Sequence, residues 1–332
     1  MNPLISIIIP FKNCEDTIAC CLESVSRLAY DNFEVILLDN DSIDRSKEIA
    51  LERGFHAIPC SGPIPAVRNE GARRARGEKL FFTDSDVCLP PDILSRMTQE
   101  LEKGNCDVIV GTYSEQHPHE NLASQYKNLW IRYSYTRLIP SIDFIFTAVS
   151  AIRREVFLSA GGFAGGFSHK TGGTDIDMGM RLRAEGFRIK LDTSLDVIHL
   201  KRYSFLRLLK NDFFRSIGYS RLAAKKQVFL QSVQKGFSNI YPRFIWSVVL
   251  SMICLFNIFA ALLWSSTACL LFILLLTVYL YLNRSFLSYY AHCRSYWEAA
   301  KIVPIIFADH AVCGFGSVIG VCQGLWNRKL SS

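Results

Sequence analysis

Three familiar sequence patterns are absent, and each absence excludes a class of protein. The first β-branched run is followed by Phe11-Lys12-Asn13-Cys14 rather than by Gly-x-Gly-x-x-Gly, which argues against a dinucleotide-dependent oxidoreductase. None of the eleven cysteines forms a Cys-x-x-Cys pair, and several stand in apolar runs, so a reducing compartment is expected. The first ten residues lack a basic segment followed by a long apolar core, and we therefore expect no cleaved signal peptide.

Charge is missing from Phe244 to Asn283. A helix of that length extends about 60 Å at ~1.5 Å per residue, twice the ~30 Å hydrocarbon thickness of a bilayer. The run predicts a helical hairpin over 244–283, turning at Ser265-Ser266-Thr267, within a membrane domain at 236–332. A third apolar segment, 302–326, contains glycines at four-residue spacing and is predicted to pack on the hairpin as a re-entrant or spanning segment. The alternative, a buried hairpin of a soluble protein, needs another apolar layer to cover it.

The formal net charge is +7, and basic residues flank the uncharged run on both sides. They are Arg221, Lys225, Lys226, Lys235 and Arg243 before it, and Arg284, Arg294 and Lys301 after it. Because positive residues favour the cytosolic side, we predict a multi-pass protein of the cytoplasmic membrane with its amino-terminal domain in the cytosol. The same placement fits an anionic bilayer surface better than a DNA groove, so no nucleic-acid partner is expected.

From residue 4 to about 113, short β-branched runs alternate with amphipathic stretches, which is typical of an α/β domain with a parallel sheet. The domain built on this sheet is predicted to extend over residues 1–235. The predicted strands are Leu4–Ile9, Phe33–Leu38, Lys79–Phe82 and Asp107–Val110, and the predicted helices are Asp16–Arg27, Ser46–Arg53, Ala66–Ala75 and Pro91–Lys103. Tyr113 to about Ile142 is less regular, and a strand-like stretch, Phe144–Ile152, follows it. An amphipathic helix over about 204–232 is predicted to lie at the bilayer interface.

Polar residues follow the predicted strands, at the rim where open α/β sheets bind ligands. Asp84-Ser85-Asp86 follows a buried strand, and two carboxylates two residues apart suit a hard divalent cation that also contacts phosphates. Solvated acids or a helix cap are the alternative there. Asp39 and Arg68 offer hydrogen bonds to a base, a ribose or a phosphate, while a capping role is an equal interpretation for Asp39.

Asp175 begins a predicted helix that runs to Glu185. A carboxylate at a helix N-terminus is stabilised as the anion, which suits a general base and equally suits a cap. The preceding glycine-rich stretch, Gly161–Gly166, is predicted to be a mobile loop, with a plain linker as the alternative.

Five motifs in order resemble those of the family 2 glycosyltransferases of the GT-A fold, over about the first two-thirds of the chain. They are Ile5–Asn13 (ISIIIPFKN), Asp39–Asp44 (DNDSID), Ala66–Ala72 (AVRNEGA), Asp84–Asp86 (DSD) and Thr174–Asp177 (TDID) with Arg181. The resemblance implies that Asp39 and Arg68 hold the nucleotide base and that Asp84 holds the ribose or diphosphate. It places Pro10 and Ser85 in the same nucleotide-sugar site.

The resemblance also implies the chemistry. Asp86 would hold a divalent metal, Mg²⁺ or Mn²⁺, with His199 beside the diphosphate as a further ligand, although a lone histidine is as often structural. Asp175 matches the catalytic base of the inverting members. Thr174 departs from the usual Glu, and the Gln-x-x-Arg-Trp motif of the polymer-making members is missing after His199, which favours single sugar additions.

These expectations combine into one function and two alternatives. The predicted enzyme moves a hexose from a nucleotide-diphospho-sugar to a hydroxyl of a lipid-linked or membrane-proximal acceptor, in polysaccharide or glycolipid assembly. Transfer directly onto polyprenyl phosphate is the first alternative, because that acceptor is already an anion and needs no base. A catalytically silent nucleotide-binding membrane scaffold is the second.

Overall fold

The computed structural model describes residues 2–165, 172–227, 240–264 and 266–329, together with residues 234 and 238. The side chains of residues 258–268 and 327–329 are not part of that description. Gly166 of the predicted loop, residues 228–232 of the predicted interfacial helix, Lys235 and Ser265 all lie outside it.

Two compact units make up the chain. The first comprises Met1–His119, Tyr135–His169 and Thr174–Arg202, and the second comprises Glu120–Ser134, Lys170–Gly173 and Tyr203–Ser332. The segment after Arg202, which precedes the predicted membrane domain, therefore belongs to the same unit as the apolar carboxyl-terminal helices.

The first unit is built on a mixed sheet, which among the described residues has eight strands in the order β3-β2-β1-β4-β7-β6-β8-β5. The strands are β1 Ile5–Phe11, β2 Phe33–Asp39, β3 Ala57–Pro59, β4 Lys79–Thr83, β5 Val87–Cys88, β6 Val108–Tyr113, β7 Val149–Arg153 and β8 Ile189–His199. β1 to β4 pair in parallel as predicted, whereas β7 runs antiparallel to β4 and β6, and β5 antiparallel to β8. The four predicted strands correspond to β1, β2, β4 and β6 and therefore run in one direction, as expected, and β6 also pairs in parallel with β8. The antiparallel direction of β5 and β7 was not predicted.

Helices cover this sheet and place their apolar sides on it. They are α1 Ile18–Ser26, α2 Ser46–Glu52, α3 Ile64–Arg74, α4 Ile93–Glu102, α6 Arg154–Ser159 and α7 Thr174–Ala184. In α4 the buried residues Ile93, Leu94, Met97 and Leu101 recur at helical spacing, so one stripe faces the core and the other is solvated. The predicted helices thus exist, with ends shifted by one or two residues.

One helix of fifteen residues, α5 Leu122–Thr136, occupies the stretch predicted to be irregular. Residues 123–129 are all buried, including Ser124, Gln125, Lys127 and Asn128. A helix that is enclosed on every side shows no apolar stripe in its sequence, which is why periodicity does not reveal it.

Among the described residues, the second unit contains α5 up to Ser134 and four long helices: α8 Phe205–Lys225, α9 Pro242–Trp264, α10 Ser266–Cys293 and α11 Tyr296–Lys329. The glycine row of α11 was expected to contact the hairpin but lies against α8. A Cβ on Gly316 would stand 2.4 Å from the Phe213 carbonyl oxygen, and one on Gly320 would stand 2.4 Å from that of Ile217. Glycine is required there because the two helix backbones touch.

Two stretches of the described chain are long and apolar enough to cross a membrane, namely Cys269–Cys293 and Tyr296–Trp326. The described part of α9, Pro242–Asn257, is apolar but shorter. The second half of the predicted hairpin and the segment at 302–326 therefore fall in candidate spans, and the latter is one continuous helix.

Candidate functional site

Arg68 and Asp84 form a direct ion pair at the carboxyl-terminal rim of the sheet. Arg68 Nη2 donates to Asp84 Oδ1 over 2.7 Å, and the arginine side chain is only 10% exposed. Asp84 follows β4, while α3 carries Arg68 across from it. Each ion thus fixes the orientation of the other, and the half-buried carboxylate keeps its second oxygen for a ligand.

Asp39 ends β2 at the same rim, directly opposite Phe11 in β1. Its Oδ1 accepts a hydrogen bond from the Ser42 backbone N–H over 3.0 Å, and the residue is buried. The carboxylate therefore holds the turn after β2, and it retains a second oxygen for hydrogen bonding. Pro10 is buried in β1, where it pairs with Leu38 of β2, the residue before Asp39.

Asp86 lies next to two basic side chains, because β5 pairs with β8. Val87 faces His199 in that pairing, and the Leu200 N–H donates to the Asp86 carbonyl oxygen over 2.7 Å. Asp86 Oδ2 is consequently 3.8 Å from both His199 Nε2 and Lys201 Nζ. Burial alone would raise the pKa of Asp86, but His199 and Lys201 lower it to about 2. The carboxyl group is therefore an anion at physiological pH.

Aromatic rings hold His199 in place. The Tyr113 ring stacks on the imidazole with centroids 4.2 Å apart and planes 5° from parallel. The His117 ring meets it edge-on at 5.9 Å. Burial, followed by the neighbouring His199, lowers the pKa of His117 to about 4, so this second imidazole is neutral at pH 7.

Asp175 lies in the first turn of α7 and accepts a hydrogen bond from Thr147 Oγ1 at its Oδ2 over 3.2 Å. Its carbonyl oxygen accepts from the Ile145 N–H. Val149 at the start of β7 pairs with Thr83 at the end of β4, so Thr147 lies alongside the segment that carries Asp84. The sheet register thereby directs α7 to the same rim as the acidic motif.

The base of the glycine-rich loop is clamped by two side chains. Asn69 exchanges two hydrogen bonds with the Phe163 backbone, of 2.9 and 2.8 Å. Arg181 donates to the carbonyl oxygens of Ala160 and Gly162 and is paired with Asp177 at 3.0 Å. α3 and α7, which carry Arg68 and Asp175, are thus tied to the same loop.

Asp86 and His199 suit a Mg²⁺ or Mn²⁺ site in which the protein supplies two of the metal ligands. They present a carboxylate oxygen and an imidazole nitrogen side by side, and such ions are commonly held by one or two protein ligands together with substrate phosphates and water. Within the described ranges there is no cluster of three or more His, Cys, Asp or Glu that holds a metal without such help.

The structure joins the predicted residues in two pairs, Arg68 with Asp84 and Asp86 with His199. Ser85 is half-buried between the two aspartates. Sequence reasoning missed Lys201, His117 and Thr147. A signal existed for Lys201 alone, because residues two apart on an extended segment share a side and Lys201 follows His199 at that spacing.

The family of the amino-terminal part follows from comparison with known proteins. Residues 6–160 match the model of glycosyl transferase family 2, so this part of the chain is similar to the glycosyltransferases of that family. It is 33% identical over 124 residues to the uncharacterized glycosyltransferase EpsJ of Bacillus subtilis, covering 35% of this chain and 36% of that protein. It is 27% identical over 224 residues to the O-antigen biosynthesis protein RfbC of Myxococcus xanthus, covering 60% of this chain and 17% of that protein. The matches thus span well under half of these relatives.

A solved structure extends the likeness beyond the family domain. The mannosyltransferase PcManGT of Pyrobaculum calidifontis, in complex with GDP-Man and Mn²⁺, superimposes with a TM-score of 0.60 at 17% identity. The alignment covers 91% of this chain and 87% of that one. The first unit therefore has the GT-A fold, as the sequence motifs predicted.

Proposed function

We propose that this protein is an inverting glycosyltransferase that moves one sugar at a time from a nucleotide-diphospho-sugar to a hydroxyl of a lipid-linked or membrane-proximal acceptor. The observation that carries the proposal is the group formed by Asp86, His199 and Lys201. A carboxylate, an imidazole and an ammonium at one rim match the needs of a metal-bound diphosphate, which is an anion that must be held and then released.

The donor would lie along the rim from β2 to β4. Asp39 and Arg68 are placed for the base and ribose, and Asp84 with Ser85 for the ribose and diphosphate. A divalent metal held by Asp86 and His199 would neutralise charge on the departing diphosphate. Lys201 adds a fixed positive charge next to the same carboxylate, so the leaving group meets a cation supplied by the chain itself.

Asp175 is the proposed catalytic base. In the displacement, the acceptor oxygen bonds to the anomeric carbon, the bond from that carbon to the diphosphate oxygen breaks, and the acceptor proton moves to the Asp175 carboxylate. One displacement inverts the configuration. Thr147 is a positioning residue, because its hydrogen bond to Oδ2 fixes the orientation of that carboxylate.

A membrane-bound acceptor is supported by the second unit. Its helices expose large apolar side chains, among them Leu270, Leu271, Ile273, Leu274 and Val318. Such surfaces suit a bilayer, and the basic flanks favour a catalytic unit on the cytosolic side. The name of RfbC, an O-antigen biosynthesis protein, agrees with a role in building a surface polysaccharide or glycolipid.

Replacing Asp175 with asparagine tests the proposal. The amide keeps the size and capping ability of the side chain but cannot take a proton, so we expect sugar transfer to fall by about 10²- to 10⁴-fold. Nucleotide diphosphate affinity with Mn²⁺ should change little, whereas Asp86→Asn should weaken binding and transfer together.

Transfer is measured with a panel of labelled nucleotide-sugars and isoprenoid-linked acceptors in membranes, and Asp31→Asn, at an exposed site, is the matched control. If Asp175→Asn transfers sugar within a few-fold of wild type, Asp175 is only a helix cap. Direct transfer to polyprenyl phosphate would then explain the activity better.

A further inference from the structure

A cavity of about 100 Å³ lies within the second unit, lined by residues of α5, α8, α9 and α11. Its lining includes the charged side chains of Lys127, Asp212, Arg215 and Asp309. None of these residues belongs to the donor rim of the first unit, and the proposed transfer reaction uses none of them.

Three of the four charged groups are already engaged with the protein. Lys127 Nζ is 2.7 Å from both Asp212 carboxylate oxygens, and the two side chains are only 7% and 5% exposed. Burial lowers the pKa of Lys127, but the Asp212 charge outweighs it and raises the pKa above its ordinary value. Asp309 accepts a hydrogen bond from Tyr126 Oη over 2.7 Å.

Arg215 also lines the cavity, but it differs from the other three because the Asp212 charge acts on it only from beyond ion-pair distance. Across the part of the chain that the structure describes, it forms no ion pair, and its one hydrogen bond runs from Nη2 to Tyr219 Oη over 3.1 Å. Arginine has five N–H donors in a planar fork that matches phosphate oxygens. Most of these donors are thus available to an occupant of the cavity.

The rest of the lining suits a phosphate that carries an apolar chain. Ser220 and Ser317 present hydroxyl groups, while Trp130 and Phe244 present aromatic rings. The same unit exposes apolar side chains along α9, α10 and α11, so an apolar chain that extends out of the cavity contacts apolar surfaces. A free inorganic anion would gain nothing from these surfaces.

We propose that the Arg215 cavity binds the phosphate head group of a lipid, with the guanidinium as its principal donor. That this lipid is the sugar acceptor rests on the proposed function, whereas the binding itself does not. The head group would receive a forked pair of N–H bonds from Arg215, supplemented by the serine hydroxyls, while the chain runs along the apolar helices.

The test uses the full chain in detergent micelles and equilibrium binding of labelled farnesyl phosphate. We expect saturable binding that Arg215→Gln weakens by about ten-fold or more, the scale of one charged, forked contact. The affinity of Arg215→Lys should lie between those of wild type and Arg215→Gln, since lysine keeps the charge but cannot donate the paired N–H bonds of a guanidinium. Arg207→Gln, an exposed position on the same helix, should bind as wild type does.

Farnesol and inorganic phosphate distinguish the sources of binding. Farnesol should bind poorly, and inorganic phosphate should compete only at concentrations far above those of the lipid ester. If Arg215→Gln and Arg207→Gln lose the same amount of affinity for farnesyl phosphate, the effect comes from the general positive charge of the surface, and the proposal is overturned. Unchanged binding by Arg215→Gln, or competition by inorganic phosphate as effective as by the lipid ester, would also overturn it.

Nucleotide diphosphate affinity with Mn²⁺ provides the folding control. Loss of this nucleotide affinity in Arg215→Gln would show that the variant is misfolded. The farnesyl phosphate affinity of Arg215→Lys, compared with those of wild type and Arg207→Gln, would then test the proposal. If the wild type transfers sugar but binds farnesyl phosphate no better than farnesol, the cavity proposal fails and the proposed function stands. If lipid binding depends on Arg215 but the wild type transfers no sugar, the proposed function fails and the cavity proposal stands.

Discussion

Lys201 is the residue at the proposed donor rim whose position depends most on the fold. Its ammonium group lies 3.8 Å from Asp86 Oδ2, so it should attract the diphosphate as a point charge. We expect Lys201→Ala to weaken nucleotide diphosphate binding by about ten-fold, and the loss should shrink as salt is added because salt screens a partly exposed charge.

Titration calorimetry with Mn²⁺ at two salt concentrations measures this effect. Lys47→Ala, at an exposed position on α2, removes the same charge away from the rim and should leave the affinity unchanged. Equal affinities for Lys201→Ala and wild type would remove Lys201 from the donor site.

Residues of the rim differ in how far sequence alone could reveal them. Asp84 and Asp86 stand directly after a buried strand, which is a local signal, and their family motif marks them independently. Lys201 and His117 come to the rim only because β5 pairs with β8 and β6 ends beside it. Such pairings join residues about a hundred positions apart, and no local sequence pattern predicts which lysine they will bring to the rim.

At the level of secondary structure, Glu34 of β2 connects β1 with the segment between α3 and β4, at the end of the sheet opposite the proposed donor rim. Its carboxylate accepts from Ser6 Oγ at 2.6 Å and from the Arg76 N–H and Nε at 2.7 and 2.8 Å. Burial raises the pKa of Glu34, but these hydrogen bonds and the Arg76 charge together hold it below its ordinary value.

The sign of the pH effect follows from that lowered pKa. The bound anion stabilises the folded state above the unfolded pKa, and the stabilisation is lost as the pH falls through the folded pKa. We expect Glu34→Gln to lower the free energy of unfolding by about 1–3 kcal/mol at pH 7, with the difference shrinking towards pH 3. Chemical denaturation at several pH values measures it, with exposed Glu48→Gln as the control. A difference that does not depend on pH would contradict the assignment.

The contact between α8 and α11 depends on the glycine row of α11. A methyl group on Gly320 would meet the Ile217 carbonyl oxygen at 2.4 Å, and a helix backbone cannot yield as a side chain can. We expect Gly320→Ala to destabilise the protein by about 1–3 kcal/mol from overpacking, despite the ~1 kcal/mol that alanine gains in helix propensity. Thermal unfolding in detergent measures this, and exposed Gln323→Ala is the control. A stabilised Gly320→Ala would show that the helices are not in contact there.

The incomplete parts of the secondary-structure prediction have a physical origin. α5 escaped because its buried polar residues hide the helical period. β7 falls mostly in the predicted strand-like stretch 144–152, but its antiparallel direction could not be predicted because strand direction is a property of pairing rather than of composition. The glycine spacing correctly indicated a close helix contact but could not name the partner. Its partner α8 is an amphipathic helix that precedes the uncharged run.

For the whole molecule, the decisive question is whether the second unit lies in a bilayer. Its candidate spans, Cys269–Cys293 and Tyr296–Trp326, expose leucine, isoleucine and aromatic side chains that a soluble unit would cover. If these surfaces face lipid, a charge placed among them costs about 2.5–3.5 kcal/mol at the centre of a span, and two charges should prevent stable insertion.

We therefore expect Leu271→Lys with Leu274→Lys to move the protein from the carbonate-resistant to the carbonate-soluble or degraded fraction, while wild type resists extraction. Tyr296→Lys is the matched control, because that exposed residue begins α11 and a lysine there can reach the membrane surface. Protease added to the cytosolic side should digest the first unit, since basic residues flank the apolar run. Extraction of wild type by carbonate, or equal behaviour of the double variant and the control, would mean that these surfaces are covered by protein instead of lipid.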